Sequence, residues 1–165
     1  MSINRSLRSL LVLSATAALL LPAVAASASE PGDSTLTAPK KTGTVTTTFT
    51  SSIQGTGSLD AAIPCSTLQC DTHTVTLQVP ATYWKKRGGE LKVDIAWTGP
   101  ENDFDLYVYD AAGTEIATSG QSLTEAESVT VPTPAAGAYT IEIRSFLAAP
   151  GTEVTGTVSL VSTKK

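Results

Sequence analysis

The sequence predicts an all-β fold in which seven to eight short strands form two antiparallel sheets packed face to face. Apolar and polar residues alternate with a period of two in a series of short runs, which is typical of strands with one buried face. Clusters of Gly, Pro, Asp and Ser separate these runs, and we find no helical period after residue 28. Half-apolar strands joined by such turns favour a two-sheet β-sandwich.

The first 28 residues are typical of a secretory signal peptide. Arg5 and Arg8 give a positive start, an uncharged apolar stretch covers residues 10–21, and small residues allow cleavage after Ala25 or after Ala28. This apolar stretch is shorter than the ~20 residues that span a bilayer. We therefore expect a secreted, extracellular protein that does not insert into a membrane after signal cleavage.

Charge and composition limit the classes of binding partner that the chain can have. Arg5 and Arg8 leave with the signal peptide, which changes the formal net charge from −4 to −6. An acidic chain without a basic stripe argues against nucleic acid and anionic membrane surfaces. The Pro-, Gly-, Ser-, Thr- and Lys-rich residues 29–42 are predicted to be a flexible leader, and residues 43–165 to form the domain.

The two cysteines, Cys65 and Cys70, are predicted to form a disulfide, because an exported chain enters an oxidising compartment. A zinc site would need further ligands, and His73 is the single histidine. His73 is expected at the edge of a strand rather than in a catalytic triad, since the chain has no G-x-S-x-G serine. Phosphate-binding loops and dinucleotide fingerprints are also missing from the sequence.

The alternating runs predict which side chains face the core. The apolar positions are Val45, Phe49, Val75, Leu77, Val79, Leu91, Val93, Ile95, Trp97, Phe104, Leu106, Val108, Val129, Val131, Tyr139, Ile141, Ile143, Val154, Val158 and Leu160. Asp110 and Gly113 fit a hairpin turn, with Asp110 opening it and Gly113 taking a positive φ.

Four oxygen-bearing side chains occur within five residues where a Gly-Pro loop enters a strand: Glu101, Asn102, Asp103 and Asp105. Such spacing is compatible with calcium, which takes 6–8 oxygen ligands. The alternative is a turn in which Asn102 and Asp103 bind backbone groups while Asp105 is solvated. Asp103 and Asp105 lie about 7 Å apart on one strand face, which also admits a retaining glycosidase pair, although nothing indicates the cleft such an enzyme needs.

Two aromatic pairs are candidate ligand contacts. Tyr83 and Trp84 precede three consecutive cations in the run YWKKRGG, and Tyr107 and Tyr109 point outward if Leu106 and Val108 face the core. Exposed aromatic rings suit stacking on sugars or docking on a protein. The alternative for Trp84 is that it closes the end of the sandwich.

The run DFDLYVYDAAGTEIATS, followed by ESVTV and PAAGAYTIEIRSF, resembles the bacterial pre-peptidase C-terminal domain. The residues that carry the resemblance are Asp103, Asp105, Leu106, Tyr107, Asp110, Gly113, Glu127, Ser128, Gly137 and Tyr139. The resemblance covers roughly residues 72–160. The cysteine pair and the YWKKRGG loop lie outside it.

This resemblance implies a jelly-roll-like β-sandwich that serves as a non-catalytic accessory module beside secreted proteases and other exported enzymes. Related collagen-binding domains use calcium, but the Glu-x-Glu linker pattern of those domains is not found here. We therefore expect a secreted module that binds an extracellular protein, a polysaccharide or a surface. The alternatives are a structural or inhibitory partner of a secreted peptidase and, less favoured, a small hydrolase using Asp103 and Asp105.

Overall fold

A computed structural model describes residues 29–55 and 68–165, in which nine strands and one short 3-10 turn (Tyr83–Lys85) are found. The strands are β1 (Asp33–Thr37), β2 (Gly43–Ile53), β3 (Cys70–Gln78), β4 (Arg87–Ala96), β5 (Asp103–Tyr109), β6 (Glu115–Ser119), β7 (Ala126–Pro132), β8 (Gly137–Leu147) and β9 (Thr152–Lys164). No helix in these two ranges is long and apolar enough to cross a membrane. The signal peptide and Cys65 lie outside the described residues.

The strands form two sheets, as the alternating pattern predicts. The five-stranded sheet has the order β1-β3-β8-β5-β6, and the four-stranded sheet has the order β2-β9-β4-β7. All neighbouring strands are antiparallel except β1 and β3, which are parallel. The all-β sandwich is confirmed, with nine strands in place of the seven to eight expected.

Strand β1 corrects the expectation of a flexible leader over residues 29–42. It adds to the edge of the five-stranded sheet, with Asp33 opposite Thr74 and Leu36 opposite Leu77. Leu36 and the following Ala38 are the apolar residues that it buries. This short strand is mostly polar, so its sequence shows little apolar–polar alternation. It forms because pairing with β3 stabilises it.

The core lies between the two sheets and is built from the alternate positions of each strand. Phe104, Leu106 and Val108 of β5 are completely buried, and the intervening residues are only partly buried. Val45 and Val131 pack against the core but are only partly buried. Both belong to strands at the edges of the four-stranded sheet, β2 and β7, where one side of the strand has no neighbour.

The turn between β5 and β6 has the expected chemistry. Gly113 has a φ of 75°, and its N–H donates to the Asp110 carbonyl at 2.9 Å. Asp110 Oδ1 accepts hydrogen bonds from the N–H groups of Ala112 and Thr114, at 2.9 and 3.0 Å. The carboxylate therefore holds the hairpin closed, as short polar side chains do in turns.

The Phe49 ring of β2 connects the two sheets. On one side it lies against Gly156, its cross-strand partner in β9, where an added Cβ would overlap the ring atoms. On the other side it stacks on the His73 ring of β3, with centroids 4.1 Å apart and planes 3° from parallel. Gly156 is needed here because it leaves space for the ring.

We predict that Gly156→Ala destabilises the fold by about 1–3 kcal/mol, because an overpacked core residue must displace its neighbours. Urea denaturation of the purified chain checks this. Gly32→Ala is the matched control, since the nearest atom to an added Cβ there is 3.7 Å away. Equal midpoints for Gly156→Ala and wild type would contradict the packing of Phe49 on this glycine.

Candidate functional site

The outer face of the five-stranded sheet carries an aromatic and charged cluster on β5 and β8. The rings of Tyr107 and Tyr109 are stacked, with centroids 6.4 Å apart and planes 19° from parallel. The Arg144 guanidinium lies 5.4 Å from the Tyr107 centroid. Glu142 lies opposite Tyr107 across the strands and forms an ion pair with Arg144. We call Tyr107, Tyr109, Glu142 and Arg144 the outer-face cluster.

The ion pair in this cluster is buried although it lies on the outward side of a sheet. Arg144 and Glu142 are only 3% and 7% exposed. Burial and, after it, the Asp105 carboxylate raise the pKa of Tyr107. Burial and, after it, the Glu142 carboxylate raise the pKa of Tyr109. Both phenols are therefore protonated at neutral pH and can donate hydrogen bonds.

Exposed apolar side chains extend this surface. Phe146 follows Arg144 near the end of β8 and is 45% exposed. The pairing with β5 is irregular there, because Asp103 lies opposite Leu147 and Phe104 opposite Ser145. The Ser145 N–H donates to the Gln69 carbonyl at 2.8 Å, which continues the β3–β8 pairing beyond the strand. Leu68, the residue before Gln69, is also exposed. The face thus presents aromatic and apolar groups above a buried ion pair.

Asp103 and Asp105 lie at one end of the same face and are close to Glu127 of β7. Burial and, after it, the Glu127 charge raise the pKa of Asp103. Burial raises the pKa of Asp105 most, followed by the charges of Asp103 and Glu127. Glu127 is itself buried and accepts the Gln121 N–H at 2.7 Å. The acids therefore repel one another in a partly dry environment.

The four residues considered as calcium ligands have different surroundings. Glu101 is exposed, whereas Asn102 is buried. The Asn102 amide donates to the Thr98 carbonyl at 2.8 Å, and its Oδ1 accepts the Ala149 N–H at 3.0 Å. No group of three or more His, Cys, Asp or Glu side chains that could hold a metal ion occurs in the described ranges. The Asn102 amide thus stabilises the turn.

Tyr83 and Trp84 pack at the turn into β4, where both are half-buried. The Tyr83 hydroxyl donates to the Pro39 carbonyl at 2.6 Å, and the Trp84 indole N–H donates to the Pro134 carbonyl at 2.7 Å. The two rings meet edge to face, with centroids 4.7 Å apart. Their polar atoms therefore connect loops of the protein to one another.

His73 is a core residue rather than one at a strand edge. It is completely buried, its Nδ1 donates to the Pro31 carbonyl at 2.9 Å, and its Nε2 is 2.9 Å from the Ser34 hydroxyl. Burial lowers its pKa. Nε2 of the neutral ring can therefore accept a hydrogen bond from the Ser34 hydroxyl. A serine and a histidine are thus adjacent, but Phe49 covers the ring.

The sequence did not lead us to Glu142 and Arg144, which complete the outer-face cluster. They were visible as polar positions of the run TIEIRSF, where they alternate with Ile141 and Ile143. Alternate positions place both side chains on one face of the strand, but their position under the Tyr107 ring depends on the pairing with β5 and could not be read from that run. Cys70 is buried at the start of β3, and no cysteine in the described part is a free thiol. The pairing with Cys65 stays a prediction.

Comparison with known proteins identifies a related domain. The family model of the bacterial pre-peptidase C-terminal domain matches residues 71–145. The solved pre-peptidase C-terminal domain of a collagenase from Bacillus anthracis is 8% identical, over 77% of this chain and 93% of that one, with a TM-score of 0.43. PliG of Aeromonas hydrophila, a periplasmic inhibitor of g-type lysozyme, is 12% identical over 79% and 98%, with a TM-score of 0.40. No curated protein matches the chain.

We predict that His73→Phe reduces the loss of stability on mild acidification. The pKa of His73 is lowered in the folded protein, so its contribution to stability is present above the ordinary value of 6.5 and is lost as the pH falls through the folded pKa. Phenylalanine keeps the stacking on Phe49 but cannot be protonated. Urea denaturation at pH 7.5 and 5.5 measures the difference for both proteins. Equal pH dependence in wild type and variant would refute this role of His73.

Proposed function

Residues 71–145 form a bacterial pre-peptidase C-terminal domain, and from this we propose that the chain is a secreted, non-catalytic module that binds an extracellular protein. Domains of this family are generally accessory domains rather than enzymes. The proposed docking surface is the outer-face cluster together with Phe146. Secretion rests on the signal peptide predicted for residues 1–28.

The outer-face cluster is the observation that carries this proposal. Tyr is enriched among the residues that dominate binding energy at protein interfaces. Tyr107 and Tyr109 are the partly exposed members of the cluster, above the buried Arg144 and Glu142. Arg144 is already paired with Glu142 and lies under the Tyr107 ring, so docking would immobilise few additional side chains. The exposed Phe146 adds an apolar contact next to the charged pair. A polar and aromatic surface of this kind fits a folded protein partner.

A secreted peptidase is the partner class that we favour, because the family accompanies such enzymes as an accessory domain. Binding could support the peptidase structurally or inhibit it. A polysaccharide that stacks on Tyr107 and Tyr109 is the second candidate, because aromatic side chains offer an apolar face to sugar rings. The hydrolase alternative at Asp103 and Asp105 is less favoured, since it departs from the usual role of the family.

We predict that Tyr107→Ala/Tyr109→Ala abolishes capture of the partner. The mature chain, immobilised on beads, is incubated with supernatant from the organism that produces it, and retained proteins are quantified by mass spectrometry. A secreted peptidase held by wild type should be lost from the variant. Thr48→Ala/Thr157→Ala, on the opposite outer face, is the matched control.

Because the tyrosines cover a buried ion pair, the double variant could lose stability. Phe146→Ser is therefore a second test, since this exposed side chain can be replaced while the Tyr107 ring stays over Arg144. Retention of the same proteins by wild type and by both variants would refute docking through this face. Capture of a polysaccharide instead of a protein would favour the second candidate.

Calcium binding near Asp103 and Asp105 stays a prediction. A cation there would relieve the repulsion that, with burial, raises the pKa of Asp105. We expect millimolar calcium to raise the melting temperature of wild type and to have no effect on Asp105→Asn. Glu153→Gln, which removes an exposed carboxylate, is the control. A melting temperature unchanged by calcium and by chelator would remove calcium from the account.

A further inference from the structure

Seven of the nine Lys and Arg residues in the described part of the chain gather at one end of the sandwich, which we call the basic end. They are Lys40, Lys41, Lys85, Lys86, Arg87, Lys164 and Lys165. The other two cations are each paired with an acid, Lys92 with Asp94 at 2.7 Å and Arg144 with Glu142. None of the seven forms a salt bridge within residues 29–55 and 68–165.

Three segments that are distant in the sequence build the basic end, and hydrogen bonds connect them. Arg87 Nη2 donates to the Lys40 carbonyl at 2.6 Å, and its guanidinium lies 5.2 Å from the Tyr83 ring centroid. Lys165 Nζ lies 3.4 Å from the Trp84 carbonyl. The half-buried aromatics therefore act as a support that positions the cations. An open groove of about 520 Å³ runs between the segments, lined by Lys41, Thr42, Lys86, Arg87, Thr163, Lys164 and Lys165.

This concentration of charge opposes folding. Arg87 and Lys164 are direct partners in the β4–β9 register, and like charges opposite each other on neighbouring strands are destabilising. The chain as a whole is acidic, with a formal net charge of −4, so acids were available to neutralise this end. Cations that have no acidic partner within such a protein indicate a surface at which a negatively charged binding partner neutralises them.

The side chains at the basic end indicate the chemistry of that partner. Six of the seven cations are lysines, and lysine is depleted at protein–protein interfaces. The large exposed apolar side chains of the described part lie elsewhere: Leu68, Ile116, Leu123, Phe146 and Leu147. The Arg87 guanidinium lies over the Tyr83 ring, and the Trp84 ring lies close to Gly89, so both rings already have contacts within the protein. Flexible point charges without an apolar anchor suit a repeated oxyanion more than a protein or a nucleobase.

We propose that the basic end binds an anionic extracellular polysaccharide or polyol polymer that carries repeated sulfate or phosphate groups. Binding neutralises several oxyanions at once and releases their counterions, so the affinity falls steeply as salt rises. The basic end is formed by one end of β4 and β9 and the adjacent loops, whereas the outer-face cluster lies on β5 and β8. It was hidden in the sequence because the cations come from separate segments.

The test is binding to two defined polymers, heparin and poly(glycerol phosphate), measured by fluorescence anisotropy between about 25 and 200 mM salt, a range over which the screening of exposed charges increases. The variant Lys41→Gln/Lys86→Gln/Lys164→Gln replaces three exposed cations. We expect it to lose at least about tenfold in affinity and to show a shallower salt dependence, because fewer counterions are released. Binding of heparin alone identifies sulfate as the preferred group, and binding of the other polymer alone identifies phosphate.

One control separates the basic end from the effect of net charge. Thr48→Glu/Thr130→Glu/Thr155→Glu makes the same change in net charge at exposed positions of the four-stranded sheet, and we expect it to bind nearly as wild type. The proposal is overturned if wild type binds neither polymer at 25 mM salt, if the lysine variant binds as wild type, or if duplex DNA of equal charge binds more tightly than both polymers.

Discussion

The packing of Phe49 between Gly156 and His73 is the constraint on which the rest of the structure depends. The Phe49 ring lies between the backbone of β9 at Gly156 and the His73 side chain of the opposite sheet. His73 in turn binds Pro31 and Ser34, so the same contact holds the segment that becomes β1. A buried histidine is tolerated there because both ring nitrogens have partners, and an unpaired one would cost about 1–3 kcal/mol.

The two surfaces to which we assign binding roles follow from the rigidity that this core gives to the strands. The outer-face cluster needs β5 and β8 in fixed register, because Tyr107 must lie over the buried pair of Arg144 and Glu142. Breaking such a pair by removing one partner would leave a buried charge, whereas covering it with aromatic rings keeps both charges compensated. The basic end likewise needs the pairing of β4 with β9 to bring Arg87 beside the cations of the last strand.

Local patterns were sufficient for much of the fold. Alternation alone assigned Phe104, Leu106 and Val108 to the core, because side chains of a strand point to opposite faces in turn. Turn chemistry alone placed the Asp110–Gly113 hairpin. The pattern failed for β1, which forms because it pairs with a neighbouring strand. It also failed for His73, whose polarity suggested a strand edge. His73 is buried because both ring nitrogens form hydrogen bonds with a distant segment.

The sequence by itself determined the class of fold, the faces of its strands and the family resemblance, because each of these depends on residues close together in the chain. Only the tertiary structure decided which polar residues meet. It paired Glu142 with Arg144 beneath Tyr107, turned the Asn102 amide into a support for its turn, and collected cations from three segments into one surface. The Glu142–Arg144 pair joins alternate residues of β8. The other contacts join residues far apart along the chain, and the strand order that brings them together leaves no local mark in the amino-acid sequence.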